Sequence, residues 1–167
     1  METEQQENMG TTAGPEHAWL QKLVGSWTTE TEMHMGPDQP AQKSTGKETV
    51  TSLDGLWAFG EGEGQMPDGS PWIYKIGLGY DVSFKEYRGF WIMSMSSHLW
   101  KYVGTLSEDG KTMTLDCVGP DMVNDGQTAN YRDVIEIIDD NHRTYTGYGE
   151  QEDGSWMLFM KTMYTRV

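Results

Sequence analysis

Apolar and polar residues alternate one by one along most of this chain, and a period of two is the pattern of β-strands with one buried face. The alternation recurs in about ten runs, which span residues 26–35, 44–53, 56–64, 71–80, 86–95, 98–106, 111–118, 129–138, 143–150 and 155–166. Short polar segments join most of the runs, and helices do not alternate with them. The pattern therefore predicts an all-β domain.

A short segment over residues 15–24 has the spacing of a helix instead. Pro15 stands in its first turn and Gly25 directly follows its end, which are favoured positions for these residues at helix termini. The apolar residues of this segment share one face that can lie across a barrel mouth: Trp19, Leu20, Leu23 and Val24. Residues 1–14 are acidic and polar and lack the pattern of a signal peptide. We expect a disordered tail over 1–14 and one β-barrel domain over 15–167.

Asp-Gly pairs stand at 54–55, 68–69, 109–110, 125–126 and 153–154, most of them between two predicted strands. This pair tolerates the positive φ angles of tight hairpin turns. An antiparallel meander of this length must hide its edge strands, and closure into an up-and-down barrel does so. The sequence thus predicts a closed antiparallel barrel of about ten strands, with a two-sheet sandwich as the alternative.

The stretch Gly25-Ser26-Trp27 resembles the start of lipocalin-like (calycin) barrels. In those barrels the Trp ring plugs the closed end, and an Arg of the last strand lies over it. Arg166 stands in the last predicted strand, where this pairing needs a cation. A guanidinium over an indole face contributes about 0.5–2 kcal/mol. We therefore expect Trp27 and Arg166 to be structural residues that tie the first strand to the last.

Alternation also predicts which side chains enter the lumen, because charged residues such as Arg88, Lys101, Arg132 and Lys161 belong outside. The predicted ligand-binding residues of the lumen are Trp57, Phe59, Glu61, Trp91, Met93, His98, Trp100, Tyr102, Tyr131 and Asp133. The same rule turns Trp156 and Leu158 inward. An alternative places Glu61 on the wet rim of the barrel.

Composition narrows the classes of partner. The chain has 7 Trp, 8 Tyr and 12 Met among 167 residues, which suits a wide interior of irregular shape, either hollow or packed solid. A net charge of −14 argues against nucleic acid and anionic membranes as partners. Cys117 is the single cysteine, so no internal disulfide can form, and we expect a cytoplasmic protein. The four histidines have no metal-ligand spacing, so no metal site is expected.

Several longer motifs carry a resemblance to one family. They are Trp19-Leu20-x-x-Leu23-Val24-Gly25-x-Trp27, Met33-x-Met35-Gly36-Pro37, Ser94-Met95-x-x-His98-Leu99-Trp100, Asp109-Gly110-Lys111-Thr112-x-Thr114-Leu115 and Tyr131-Arg132-Asp133-Val134-Ile135-Glu136. Over residues 16 to 166 the chain resembles the bacterial family catalogued as domain of unknown function 1579. The resemblance implies a calycin-like barrel and assigns no activity. The haem-binding nitrobindin barrels place a His ligand near the C-terminal end, and no His follows His142 here, so we expect no cofactor.

Three functional hypotheses follow from the predicted lumen. The first is a binding protein that holds a small apolar or aromatic molecule, with the ligand stacked on tryptophans and its polar end at His98 and Asp133. The second is an enzyme in which His98 acts as the acid or base and Asp133 orients it. The third is a non-catalytic interaction protein with a filled barrel and a homodimer interface on its outer face.

Overall fold

The computed structural model describes residues 10–66 and 68–167. Across these residues ten antiparallel strands form a closed up-and-down barrel, in which each strand pairs with its neighbours in the chain and the first pairs with the last. One short helix precedes them. The elements are α1 (Pro15–Gln21), β1 (Gly25–Met33), β2 (Gln42–Leu53), β3 (Trp57–Gln65), β4 (Pro71–Asp81), β5 (Glu86–Met93), β6 (Ser96–Leu106), β7 (Thr112–Pro120), β8 (Thr128–Asp139), β9 (His142–Glu150) and β10 (Trp156–Arg166). The predicted lipocalin-like barrel is confirmed, and the sandwich alternative is wrong.

The Asp-Gly turns make this up-and-down order possible. The glycine of each of the five pairs has a positive φ, between 69° and 84°. Between β2 and β3 both Asp54 (φ 52°) and Gly55 (φ 74°) are left-handed. Two successive left-handed residues match the right-handed twist of a hairpin, which is why short turns suffice here.

Helix α1 closes one end of the barrel by bonding to the chain that surrounds it. The Trp19 indole donates to the Gly110 carbonyl at 3.0 Å, and the Tyr87 hydroxyl donates to the Glu16 carbonyl at 2.8 Å. Leu20, a residue of this helix, is fully buried. We call this end of the barrel, which contains α1, the start of β1 and the end of β10, the closed half. Residues 1–9 of the predicted tail lie outside the described residues.

Trp27 and Arg166 seal the closed half as the sequence predicts. Trp27 is only 2% exposed, and the Arg166 guanidinium lies 4.1 Å from the centroid of its ring. The same guanidinium donates to the Val24 carbonyl at 2.6 Å and to the Lys22 carbonyl at 3.0 Å. Gly25, with φ 136°, leaves the space that Arg166 occupies. The last strand is thus bonded to the segment that enters the first.

The opposite, open half of the barrel has an interrupted wall. Within the described residues the ladder between β6 and β7 joins four pairs, from Val103 opposite Asp116 to Leu106 opposite Met113. We call the stretch beyond it, β6 residues 96–102 and β7 residues 117–120, the seam. The Trp100 ring lies against Gly119 and fills the seam from the β6 side.

Candidate functional site

A cavity of about 310 Å³ occupies the open half of the lumen. That volume lies in the range of small-molecule sites, about 300–1,000 Å³. The cavity is lined by Thr31, Met33, Met35, Gln42, Lys43, Ser44, Gln65, Met66, Trp72, Trp91, Met93, Met95, Trp100, Tyr102, Cys117, Met122, Tyr131, Asp133, Tyr145, Phe159 and Met160. A smaller pocket of about 50 Å³ lies in the neighbouring part of the lumen and is lined by Glu48, Tyr74, Arg143 and Tyr164. The lumen is therefore hollow in one half and nearly filled in the other.

Methionines form the mouth of this cavity. Met35, Met66, Met95 and Met122 come from four separate loops at the open end. Met122 is 74% exposed, so the cavity reaches the surface at this point. Unbranched thioether side chains are flexible and polarizable, which lets a rim built from them adapt to ligands of different shape.

Aromatic rings form the walls below the mouth. Trp72 and Trp91 meet edge to face with their centroids 6.4 Å apart. On the adjacent strand β6, Trp100, which pairs with Trp91, meets Tyr131 edge to face at 5.0 Å. The Tyr131 hydroxyl is held by donating to the Pro120 carbonyl at 2.7 Å. The walls thus offer large apolar faces whose rings are fixed by their contacts with one another.

Asp133 is the acidic group of this cavity. Its side chain is buried, with 9% of the residue exposed, and its Oδ2 accepts from the Tyr102 hydroxyl at 2.5 Å and from the Tyr145 hydroxyl at 2.6 Å. The two tyrosine oxygens lie 2.8 Å apart. Asp133 lies on β8; its neighbour β9 carries Tyr145, and β6, on the far side of β7, carries Tyr102. We call these three residues the Asp133 cluster.

The Asp133 cluster has three short oxygen–oxygen contacts and two hydroxyl protons. When Asp133 is ionised, both hydroxyls donate to Oδ2 and the contact between the two tyrosine oxygens has no proton; when Asp133 is protonated, three protons serve all three contacts. Burial raises the pKa of Asp133 above its ordinary value, and the two tyrosine hydrogen bonds oppose that rise only in part. Burial also raises the pKa of the adjacent Cys117 thiol to about 12, so this cysteine is a neutral wall residue.

A second buried carboxylate lies in the closed half. Glu48 and Arg143 are each 3% exposed and form an ion pair through Glu48 Oε1 and Arg143 Nη2. The Tyr74 hydroxyl donates to Glu48 Oε2 at 2.7 Å and lies 3.3 Å from the Tyr164 hydroxyl. We call these four residues the Glu48 cluster. Both carboxylate oxygens are bonded, so this charge is balanced inside the protein.

Arg143 also supports the floor of the barrel. Its guanidinium lies 3.7 Å from the centroid of the Tyr164 ring and 4.7 Å from that of Trp27. Trp27 is therefore in contact with two guanidiniums, those of Arg143 and Arg166. The pairing predicted from the sequence contains one of them.

Six of the predicted lumen residues do line the cavity: Trp91, Met93, Trp100, Tyr102, Tyr131 and Asp133. Their inward orientation is confirmed, while their role in binding stays a prediction. His98 differs, because its Nε2 lies 3.2 Å from the Val118 carbonyl and its ring packs edge to face on Trp100. It belongs to the seam and not to the cavity lining. Along β6 it stands four residues, about 13 Å, from Tyr102 of the Asp133 cluster. The expected His98–Asp133 pair is therefore not formed.

The predicted face of β3 is wrong, and so Trp57, Phe59 and Glu61 point away from the lumen. Glu61 pairs with Lys75 on the outer wall at 3.0 Å, and Trp57 stacks on Phe59 with centroids 6.2 Å apart. The inward positions of β3 are Ala58 and three glycines, and a side chain at Gly62 would overlap the Tyr74 ring. The glycines thus make room for the bulky inward rings of β4, which reverses the expected orientation.

The predicted face of the first part of β10 is also wrong. A bulge between Leu158 and Met160 shifts the pairing with β9. Phe159 and Met160 both line the cavity as a result, although they are neighbours in the chain. Trp156 lies outside, where the Arg132 guanidinium covers its ring at 4.4 Å.

The comparisons with known proteins agree with this barrel. The family model described as protein of unknown function (DUF1579) matches residues 12–166. The chain belongs to this family. The predicted resemblance is thereby confirmed, and the family's description assigns no activity.

Two solved structures are similar along nearly the whole chain. The S-type phycobiliprotein lyase CPES from Guillardia theta has a TM-score of 0.62 at 14% identity and covers 91% of this chain and 92% of its own. Rv2717c from M. tuberculosis has a TM-score of 0.64 at 14% identity and covers 93% of this chain and 99% of its own. At this identity the likeness shows a shared fold. No curated protein sequence matches the chain.

The sequence analysis missed several residues that line the lumen. Glu48, Arg143 and Tyr145 were not among the predicted lumen residues, although alternation places Glu48 on the same face as Val50, and Arg143 on the same face as Tyr145.

Within residues 10–66 and 68–167, no group of three or more His, Cys, Asp and Glu side chains is placed to hold a metal ion. No helix of the described chain is long and apolar enough to cross a membrane.

Proposed function

We propose that this protein binds a small, largely apolar molecule with an aromatic body in the open half of its barrel. The observation that carries the proposal is the cavity of about 310 Å³, which is open at its methionine mouth and closed at its other end. A protein whose lumen served only as a core would fill it, because interiors are normally close-packed.

The chemistry of the walls favours this ligand class. Trp72, Trp91 and Trp100 offer flat apolar faces, and the methionine rim can adjust to the outline of a ring system. Asp133 is the acidic group of the lining and is held by two tyrosines below the mouth. A few fixed polar groups in an apolar pocket are what orients a bound small molecule.

A titration with Nile red tests the proposal, since this neutral aromatic dye emits strongly in apolar surroundings. We expect saturable binding of one dye per chain and quenching of tryptophan emission. Met93→Trp fills the cavity with a larger ring, whereas Ile92→Trp adds the same ring to the outer face of the same strand. The first substitution should abolish binding and the second should leave it unchanged.

The same experiment can overturn the proposal. If Nile red and a panel of neutral aromatic compounds give no saturable signal with the folded wild-type protein, the cavity is not a binding site. Undiminished binding by the folded Met93→Trp variant would show that the dye binds elsewhere.

A further inference from the structure

Charges inside the described part of the barrel do not cancel. Glu48 and Arg143 form a closed pair, with the carboxylate further bonded by Tyr74. Asp133 has two tyrosine hydroxyls as partners and forms no ion pair within the described residues. The lumen therefore contains one carboxyl group more than it contains cations.

The free oxygen of Asp133 faces the cavity. Both tyrosine hydrogen bonds go to Oδ2, and Oδ1 accepts none within the part of the chain that the structure describes. Oδ1 is not among the solvent-inaccessible polar atoms that lack a partner, so it keeps an accessible surface. Because Asp133 lines the cavity, a bound molecule can reach this oxygen.

We propose that the cavity selects aromatic molecules that carry a cationic or N–H-donating nitrogen, which donates to Asp133 Oδ1, and that it rejects anions such as fatty acids. This inference rests on the proposed function, because it assumes that the cavity binds a ligand. It adds the charge and the donor group of that ligand.

The aromatic walls support the selection of a cation. Trp91 and Trp100 line the cavity together with Asp133, and the face of an indole attracts a cation that is shielded from water. The net charge of −14 also raises the local concentration of cations around the protein and lowers that of anions.

Among residues 10–66 and 68–167, an anion would find no cation in this lumen that lacks a carboxylate partner. Arg143 is paired with Glu48, is 3% exposed and lines the smaller pocket of the closed half instead of this cavity. Lys43 lines the mouth, where it is exposed and pairs with Glu32 at 3.1 Å. Beside ionised Asp133 a carboxylate of the ligand would meet a like charge, and burial makes this repulsion costly.

A series of ligands with one ring system and different charge tests the proposal. We would measure the dissociation constants of naphthylmethylamine, naphthylmethanol, methylnaphthalene and naphthoate near neutral pH by calorimetry. A hydrogen bond to a charged group predicts that the amine binds about ten-fold to a hundred-fold more tightly than methylnaphthalene. The alcohol should fall between them, and naphthoate should bind most weakly.

Two variants assign the preference to one residue. Asp133→Asn should remove the advantage of the amine, so that the ratio of the dissociation constants of methylnaphthalene and the amine falls towards one. Asp116→Asn removes a carboxylate of the outer wall of β7, which pairs with Arg132, and should leave the whole series unchanged. Near-UV circular dichroism checks that both variants are folded. The comparison of the four ligands with the wild-type protein does not depend on either variant.

The pH dependence gives a second readout in the wild-type protein. The amine needs ionised Asp133, so its affinity should rise with pH as Asp133 loses its proton, up to the pH at which the amine itself becomes neutral. The other titratable groups that face Asp133 are Tyr102, Tyr145 and Cys117, and burial raises the pKa of each, which keeps them neutral in this range. Methylnaphthalene should show no such rise.

The outcomes separate this inference from the proposed function. If methylnaphthalene binds as tightly as the amine, or naphthoate binds most tightly, the selection of cations is wrong and the binding function stands. If no member of the series binds, both are wrong.

Discussion

Two buried carboxylates lie at different depths of one lumen, and the difference between them lies in their partners. Glu48 in the closed half has an arginine and a tyrosine, and both of its oxygens are bonded. Asp133 in the open half has two tyrosines on one oxygen, and its other oxygen faces a cavity. Tyrosine is common to both sites, whereas the cation is present in one of them.

This difference shows how one barrel combines a rigid closed half with a hollow open half. A carboxylate that is fully paired adds to the order of the fold, because breaking the pair leaves a buried charge. A carboxyl group that keeps a free oxygen beside a cavity is costly unless it is neutral or a ligand meets it. The pairing in the closed half therefore stabilises the fold, and the open half keeps a carboxyl oxygen that the proposed ligand can reach.

The comparison predicts its largest effect at Arg143. Replacing it by Met leaves Glu48 buried without a cation, which should cost about 3–5 kcal/mol of unfolding free energy. The control is Arg132→Met, which breaks a half-exposed pair with Asp116 and should cost about 0–1 kcal/mol. Urea unfolding measures both.

The double variant Glu48→Gln with Arg143→Met sharpens this prediction. It removes both charges and should recover a large part of the loss. Equal stability of the single and the double variant would contradict the view that an unpaired charge is the cause.

The next largest effect is expected at the seal of the closed half. Arg166→Ala removes the guanidinium over Trp27 and its bonds to the Val24 and Lys22 carbonyls. We expect a loss of about 2–3 kcal/mol in thermal or urea unfolding. Arg88→Ala also removes a guanidinium over a ring, that of the exposed Phe84, and should cost clearly less. Equal losses would mean that the seal adds nothing beyond a surface contact.

A smaller effect should distinguish the packing of the two halves. At Gly62 an added methyl group would overlap the Tyr74 ring of the Glu48 cluster, whereas at Gly149 its nearest neighbour is the Tyr131 ring at 3.7 Å. Gly62→Ala should therefore cost about 1–3 kcal/mol by overpacking. Gly149→Ala should leave the unfolding free energy unchanged or slightly raised. A loss as large as that of Gly62→Ala would show that the open half is packed as tightly as the closed half.

The smallest effect is a change in the pH dependence of stability at Asp133. Burial raises the pKa of this group above 3.8, so the folded protein holds the proton more tightly than the unfolded chain does. Its contribution to stability is complete below the unfolded value and is lost as pH rises through the folded pKa. Urea unfolding at a series of pH values should show this decline in the wild type and in Asp116→Asn, and a weaker decline in Asp133→Asn. An identical slope in all three would refute the assignment.

The fold could be predicted from the sequence because its signals are local. The five Asp-Gly pairs mark turns through their own backbone preference, and each glycine adopts the expected positive φ. Trp27 and Arg166 are distant in sequence, but both lie in terminal strands that a closed barrel must join. Strand alternation also placed Trp91 and Tyr131 correctly, since regular strands keep one face inward.

The site could be predicted only in part, because the remaining residues depend on neighbours in space. The rule that charged residues lie outside hides Arg143, whose burial requires Glu48, 95 residues away in the chain. The face of β3 depends on the rings of β4, and Gly62 gives no sign of them by itself. The bulge before Met160 changes the inward face within one strand, and alternation has no signal for an inserted residue.

The Arg166 seal has a consequence for biosynthesis. Strand β1 pairs with β2 on one side and with β10 on the other. During translation its second edge therefore stays unpaired while the eight intervening strands are made. An unpaired strand edge is a template for association with other chains. The nascent protein is therefore most exposed to misassembly just before its last strand emerges. Pairing of β10 with β1 then removes that edge, and Arg166 docks on Trp27.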